Sequence, residues 1–126
     1  MKILVVDDVK TMVRIVRKIL KQLGYEDVEE AYDGVGALEK VLSSDFGLII
    51  SDWNMEPMTG FELLQRVRSD PVKAHIPFIL VTAEAKADNL AAAKAAGVTG
   101  YLIKPFNEKT LSEQIGLALK ATTTQG

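Results

Sequence analysis

The sequence predicts one α/β domain of (βα)5 type, a doubly wound parallel sheet of five strands with helices on both faces. Three observations carry that expectation. Short apolar runs of strand length alternate with segments whose apolar residues return every three or four positions. The runs are apolar throughout, as strands covered on both faces are. The chain has 126 residues, 48% hydrophobic and 25% charged, which suits a single folded domain and argues against disorder.

The elements follow in order. Lys2 to Val6 is a strand cut off by Asp7–Asp8. Met12, Val13, Val16, Ile19, Leu20 and Leu23 line a helix stopped by Gly24. Val28 to Ala31 is a weak strand whose Glu29–Glu30 pair predicts a sheet edge. Asp33–Gly34 opens a helix carrying Leu38, Val41 and Leu42. Gly47 to Ser51 is the third strand, ending at Asp52, and the loop from Trp53 to Thr59 leads to a helix marked by Phe61, Leu64 and Val67, closed by Asp70–Pro71. Pro77 to Thr82 is the clearest strand. An alanine-rich helix from about Ala87 to Ala96 stops at Gly97. Tyr101 to Ile103 forms the fifth strand, and Leu111, Ile115, Ala118 and Leu119 line the last helix. Residues 122–126 have nothing to bury and are expected to fray, which leaves 1–121 as the domain.

Composition excludes several classes. Fifteen basic and seventeen acidic residues give a net charge of −2, so neither nucleic acid nor anionic lipid is drawn to a basic face. No cysteine is present, which removes disulfides, thiol catalysis and Cys-ligated zinc. The apolar runs are too short to span a bilayer, and two aspartates interrupt the N-terminal run before a signal core forms. A monomeric cytoplasmic protein is expected.

The polar residues are informative by position. Asp7 and Asp8 end the first strand, Asp52 the third, Thr82 the fourth and Lys104 the fifth. In a parallel sheet those carboxyl ends share one edge, where open α/β proteins bind ligands. Each residue alone has a plainer reading. Asp8 could cap the following helix, Asp52 could form a turn, Thr82 could close one through its hydroxyl, and Lys104 could simply be solvated. Caps do not account for a doubled aspartate with a lysine at the same edge.

Carboxylates that meet there would repel, with one ammonium as partial counter-charge. The remaining oxygens suit a hard divalent cation, and a small cluster with room for water favours Mg²⁺ over a Ca²⁺ cage. A metal, a lysine and a hydroxyl aimed at one carboxylate form a phosphoryl-transfer arrangement. Spacing leaves the nucleophile open. Asp52 is favoured because Asp7 and Asp8, from one strand end, naturally clamp a metal together.

These residues resemble the receiver domain of bacterial two-component response regulators over essentially the whole chain. Ser51–Asp52–Trp53–Asn54–Met55, Val81–Thr82–Ala83–Glu84–Ala85–Lys86, and Gly100–Tyr101 before Lys104–Pro105–Phe106 are most similar to single-domain chemotaxis regulators of the CheY type. The resemblance implies a flavodoxin-like strand order 2-1-3-4-5. It implies that Asp52 accepts a phosphoryl group from a histidine kinase. Asp8, Asp52 and the backbone carbonyl of Asn54 would ligate Mg²⁺, with Asp7 acting through water. Lys104 would pair with a phosphoryl oxygen, Thr82 would move to another, and Tyr101 would turn inward as the switch. Lys104–Pro105 would be cis. The implied effector is a flagellar motor switch protein, or a phosphatase or phosphotransfer protein in a relay.

One departure stands out. Where the family usually has proline four residues after the acceptor, this chain has Glu56, with Pro57 next and Gly60 at its usual distance. Glu56 is read first as a solvated side chain, with tuning of metal affinity or dephosphorylation as the alternative. The resemblance implies that Asn54 and Glu84 influence phosphoryl lifetime; with Glu56 and Trp53 they form a second tier beside the site. Trp53 is expected to be exposed and to report Mg²⁺ by fluorescence. Met55 and Met58 fill gaps under the loop. His75 lies on the surface. The alanine-rich helix offers either plain helix propensity or a shallow docking face.

Two other classes compete. A Mg²⁺-dependent phosphatase of the haloacid dehalogenase type would need a second aspartate where Asn54 stands, and a cap domain. Flavin binding would need a Ser/Thr/Gly-rich phosphate loop after the first strand, and none is there.

Overall fold

The computed structural model describes the backbone of residues 1–123 and the side chains of residues 1–120. Its elements are β1 (Ile3–Val6), α1 (Lys10–Gln22), β2 (Val28–Ala31), α2 (Gly34–Ser43), β3 (Leu48–Asp52), α3 (Gly60–Ser69), β4 (Phe78–Thr82), α4 (Ala87–Ala95), β5 (Gly100–Ile103) and α5 (Glu108–Thr123). All strand pairings are parallel, in the order β2-β1-β3-β4-β5. The doubly wound (βα)5 architecture is therefore as expected. None of the helices among the described residues is long and apolar enough to cross a membrane.

Strand periodicity splits the core in two. Leu4, Val6, Ile49, Phe78 and Leu80 face α2, α3 and α4 through Ala37, Val41, Leu63, Leu64, Val67 and Ala93. Ile3, Val5, Leu48, Ile50, Ile79 and Val81 face α1 and α5 through Val13, Val16, Leu20, Leu111, Ile115 and Ala118. Every residue of β1, β3 and β4 is buried, which is why those runs read as unbroken apolar. β2 is an edge, as its acidic pair predicts. Lys2 and Lys40 both reach Glu29 at 3.3 Å, and Arg17 reaches Glu30 at 2.6 Å, so charge guards the exposed edge.

Helix ends follow local chemistry. Gly24 and Gly97 take φ of 96° and 93° just past α1 and α4, conformations that side chains disfavour. Asp33 caps α2 by accepting from the Gly36 N–H at 2.6 Å. Thr59 and Glu62 form a capping box on α3, with the Glu62 N–H donating to Thr59 Oγ1 at 3.1 Å.

Several expectations are corrected. The plainer reading of Asp8 as a helix cap also fails: Val9 holds the N-cap position of α1, and its own side chain makes no capping hydrogen bond. Leu42 is half exposed while Ala37 is buried, because α2 packs through its smaller residues. Leu63 rather than Phe61 enters the core from α3; Phe61 is only partly buried. Helix α5 is described as far as Thr123. The rest of the tail, 124–126, lies outside the described residues.

Register decides what comes next. Val6 pairs with Ser51, Asp52 with Val81 and Thr82 with Ile103, so the carboxyl ends of β1, β3, β4 and β5 come level along one edge.

Candidate functional site

At that edge Asp7 and Asp52 are buried, 5% and 6% exposed, while Asp8 is open to solvent. Asp7, Asp8 and Asp52 each present a carboxylate oxygen within 4.8 Å of the others. Lys104 extends from the end of β5 so that its Nζ lies 2.9 Å from Asp52 Oδ1 and 3.6 Å from Asp7 Oδ2. The approach to Asp52 is an ion pair that misses hydrogen-bond angles, and Asp52 Oδ1 is buried without a hydrogen-bond partner. Asp7 Oδ1 accepts from the Val9 N–H at 2.9 Å, which turns the chain into α1 and fixes that carboxylate.

The loop after Asp52 is pinned at both ends. The Trp53 N–H donates to the Val81 carbonyl at 2.8 Å, and the Gly60 N–H donates to the Trp53 carbonyl at 2.9 Å. A Cβ on Gly60 would sit 2.0 Å from the Asp52 carbonyl oxygen, so only glycine lets α3 start here. Met55 anchors the middle of the loop, 3% exposed, as a core filler. The Trp53 ring is half-buried, not exposed, and stacks on Phe61 with centroids 5.1 Å apart. This pairing explains both aromatic corrections. Two X–Pro bonds flank the cleft in cis form, the expected Lys104–Pro105 and the additional Glu56–Pro57.

Burial and charge set the titration of the cluster. Desolvation is the largest influence on Asp52 and raises its pKa, against the Lys104 ammonium beside it, with Asp8 adding repulsion. Asp7 is also raised, chiefly by burial; the Val9 N–H opposes this and Asp52 reinforces it. Desolvation pulls Lys104 down, but Asp52 and Asp7 together outweigh it and raise its pKa. Three converging carboxylates against one ammonium leave the cluster net negative, which favours a cation. The donor set is all oxygen, which fits Mg²⁺.

The remaining expected residues take distinct places. Thr82 is 3% exposed, and its hydroxyl accepts from the Glu84 N–H at 3.3 Å, so it does close a turn while its own O–H stays free to donate. Tyr101 is partly buried with its hydroxyl already inside and unbonded. Burial raises its pKa, and the Thr82 hydroxyl nearby, short of hydrogen-bond geometry, pulls the other way. The inward position anticipated for a switched tyrosine is thus occupied in this structure. Glu84 is exposed and paired with Lys86 at 2.8 Å. Asn54 and Glu56 line an open cleft of about 390 Å³ with Asp8, Met55 and Thr59. His75 is exposed at the far end of the sheet, before β4, and takes no part. Sequence reasoning missed the Trp53–Phe61 stack and the contact of Gly60 with Asp52; the fixed distance from Asp52 to Gly60 was the available signal for the second.

Comparison with known proteins identifies the family. The family model for the response regulator receiver domain matches residues 3–116. The chain belongs to that family. This receiver is 48% identical to the chemotaxis protein CheY of Pseudomonas aeruginosa, over 91% of its own length and 93% of the relative's. It is 45% identical to CheY-3 of Vibrio cholerae, over 91% and 88% of the two chains. Among solved structures, CheY4 of Vibrio cholerae superposes with a TM-score of 0.86 at 41% identity, covering 94% of this receiver and 98% of that chain. A CheY-like receiver from Methanospirillum hungatei gives 0.88 at 31% identity, over 99% and 98%. The receiver is therefore a CheY-like chemotaxis response regulator in fold and family.

Proposed function

We propose that this receiver is a cytoplasmic switch that takes a phosphoryl group from a histidine kinase onto Asp52 and then binds a protein effector in motility control. The observation that carries the reading is the convergence of Asp7, Asp8 and Asp52 within 4.8 Å, with the Lys104 ammonium 2.9 Å from a buried, unbonded Asp52 oxygen. In the transfer, an Asp52 Oδ lone pair forms the P–O bond in line as the P–N bond of the donor phosphohistidine breaks. The bonding pair leaves on the imidazole nitrogen, which takes up a proton. Asp8, Asp52 and the Asn54 carbonyl would hold Mg²⁺, with Asp7 orienting its water. The ion supplies charge neutralisation for the phosphoryl oxygens. Lys104 would leave its off-angle ion pair for a phosphoryl oxygen, and the free Thr82 O–H would donate to another.

Switching a population from 1:99 to 99:1 needs about 5.5 kcal/mol. Two new charge-assisted bonds supply about 3–6 kcal/mol in all, so the effector completes a partial shift. The similar proteins are named for chemotaxis, which supports motility control as the setting of that effector.

Incubation with a radiolabelled small phosphodonor and Mg²⁺ tests the acceptor. Labelling should vanish in Asp52→Asn while the circular dichroism spectrum stays native. Persistent labelling of the variant would refute the assignment. Affinity capture with and without beryllofluoride would then identify the effector.

A further inference from the structure

We infer that Glu56, which stands where the family usually has proline, strengthens divalent-cation binding from outside the Asp7–Asp8–Asp52 cluster by accepting from the ion's water shell. This rests on the reading of that cluster as a Mg²⁺ site.

Four observations converge on it. Glu56 is exposed and lines the same open cleft as Asp8, the solvent-exposed member of the cluster. The cleft holds about 390 Å³, and a water takes about 30 Å³, so an ion that keeps several waters fits with a further shell between it and Glu56. Among the described residues no cation pairs with Glu56, whereas Glu84, the other acid beside the site, is neutralised by Lys86 at 2.8 Å. The loop that carries Glu56 is held on both sides, by buried Met55 and by the capping box at Thr59. Behind Asp8, buried Asp52 has the Lys104 ammonium 2.9 Å from its Oδ1, and that one counter-ion leaves the three-carboxylate cluster net negative.

Glu56 is not among the three carboxylates that converge within 4.8 Å, so its action is through water and through space. The balance of charge gives it something to do. Three carboxylates face one ammonium, and Lys104 repels an incoming cation; an unneutralised fourth carboxylate at the mouth offsets that repulsion. At a separation of about one Debye length, roughly 8 Å, the attraction of a carboxylate for a divalent ion through water corresponds to about a two- to six-fold change in affinity, depending on screening.

Mg²⁺ titrations followed by Trp53 fluorescence, and in parallel by calorimetry, test the inference on wild type, Glu56→Gln and Glu39→Gln. The last removes an exposed charge on α2, away from the cleft. Glu56→Gln should weaken Mg²⁺ binding about two- to six-fold at low ionic strength, with the gap closing at high salt, while Glu39→Gln matches wild type. Equal affinity of Glu56→Gln and wild type at low salt would overturn the role of Glu56. An equal loss in Glu39→Gln would overturn it too, since net charge alone would then be responsible. Absence of saturable Mg²⁺ binding by wild type would instead remove the underlying metal site, a result distinct from either.

Discussion

Replacing Asp52 by Asn should stabilise the metal-free protein, although it removes an ion pair. Lys104 Nζ at 2.9 Å attracts the Asp52 charge by about 6 kcal/mol at an effective dielectric of about 20. Asp7, no more than 4.8 Å away, repels it by about 3.5 kcal/mol, and solvated Asp8 by about 1 kcal/mol. Coulomb forces thus favour the charge by only about 1–2 kcal/mol, while desolvating a carboxylate costs several kcal/mol. The raised pKa of Asp52, with burial as its first cause, has the same sign. The amide keeps the shape without the charge, and Lys104 still has Asp7 at 3.6 Å. A gain of about 1–2 kcal/mol is expected in EDTA at neutral pH, or roughly 4–8 °C in Tm.

The sign against pH follows from the same shift. A carboxylate with a raised folded-state pKa destabilises above that pKa, and the penalty is gone once pH falls below the unfolded value of about 3.9. The advantage of Asn over Asp should therefore be widest near neutrality and close toward acid. Mg²⁺ at ten times its Kd adds about 1.4 kcal/mol to wild type and less to the variant, which lacks one ligand. Thermal melts with and without EDTA, from neutral pH downward, measure all three. A destabilised variant at neutral pH without metal, or a gap indifferent to pH, would refute the reasoning.

Gly60→Ala should cost about 1–3 kcal/mol or more, because its Cβ would meet the Asp52 carbonyl at 2.0 Å and the Trp53 Cα at 3.0 Å. Mg²⁺ affinity should fall with it; unchanged Tm and affinity would contradict the close approach. Arg68→Met should cost about 2–3 kcal/mol, since Arg68 donates to the carbonyls of Gly97, Ala74 and Ile76 at 2.9, 3.0 and 2.7 Å. Denaturant melts should register that loss while calorimetry finds Mg²⁺ binding intact.

Much of the site was legible because a parallel sheet brings strand ends together however far apart they are in the chain. Reading Asp7–Asp8, Asp52, Thr82 and Lys104 as strand ends was enough to place them on one edge. Less legible was the direction each side chain takes. Asp8 sits just before a helix and has the right chemistry for a cap, yet the backbone gives the N-cap position to Val9 and leaves Asp8 to the cluster. Trp53 reads as a loop tryptophan, but α3 begins close enough to slide Phe61 beneath it.

Periodicity, glycine stops and buried runs are properties of neighbouring residues, so the chain alone determined the alternation of elements, the edge strand and the polar rim. What required the folded molecule was every distance between elements: the ion pair of Lys104 with Asp52, the unbonded oxygen left behind, the inward Tyr101 and the backbone contact that demands Gly60. Those depend on how two helical layers settle onto a twisted sheet, and no local pattern encodes a separation across that packing.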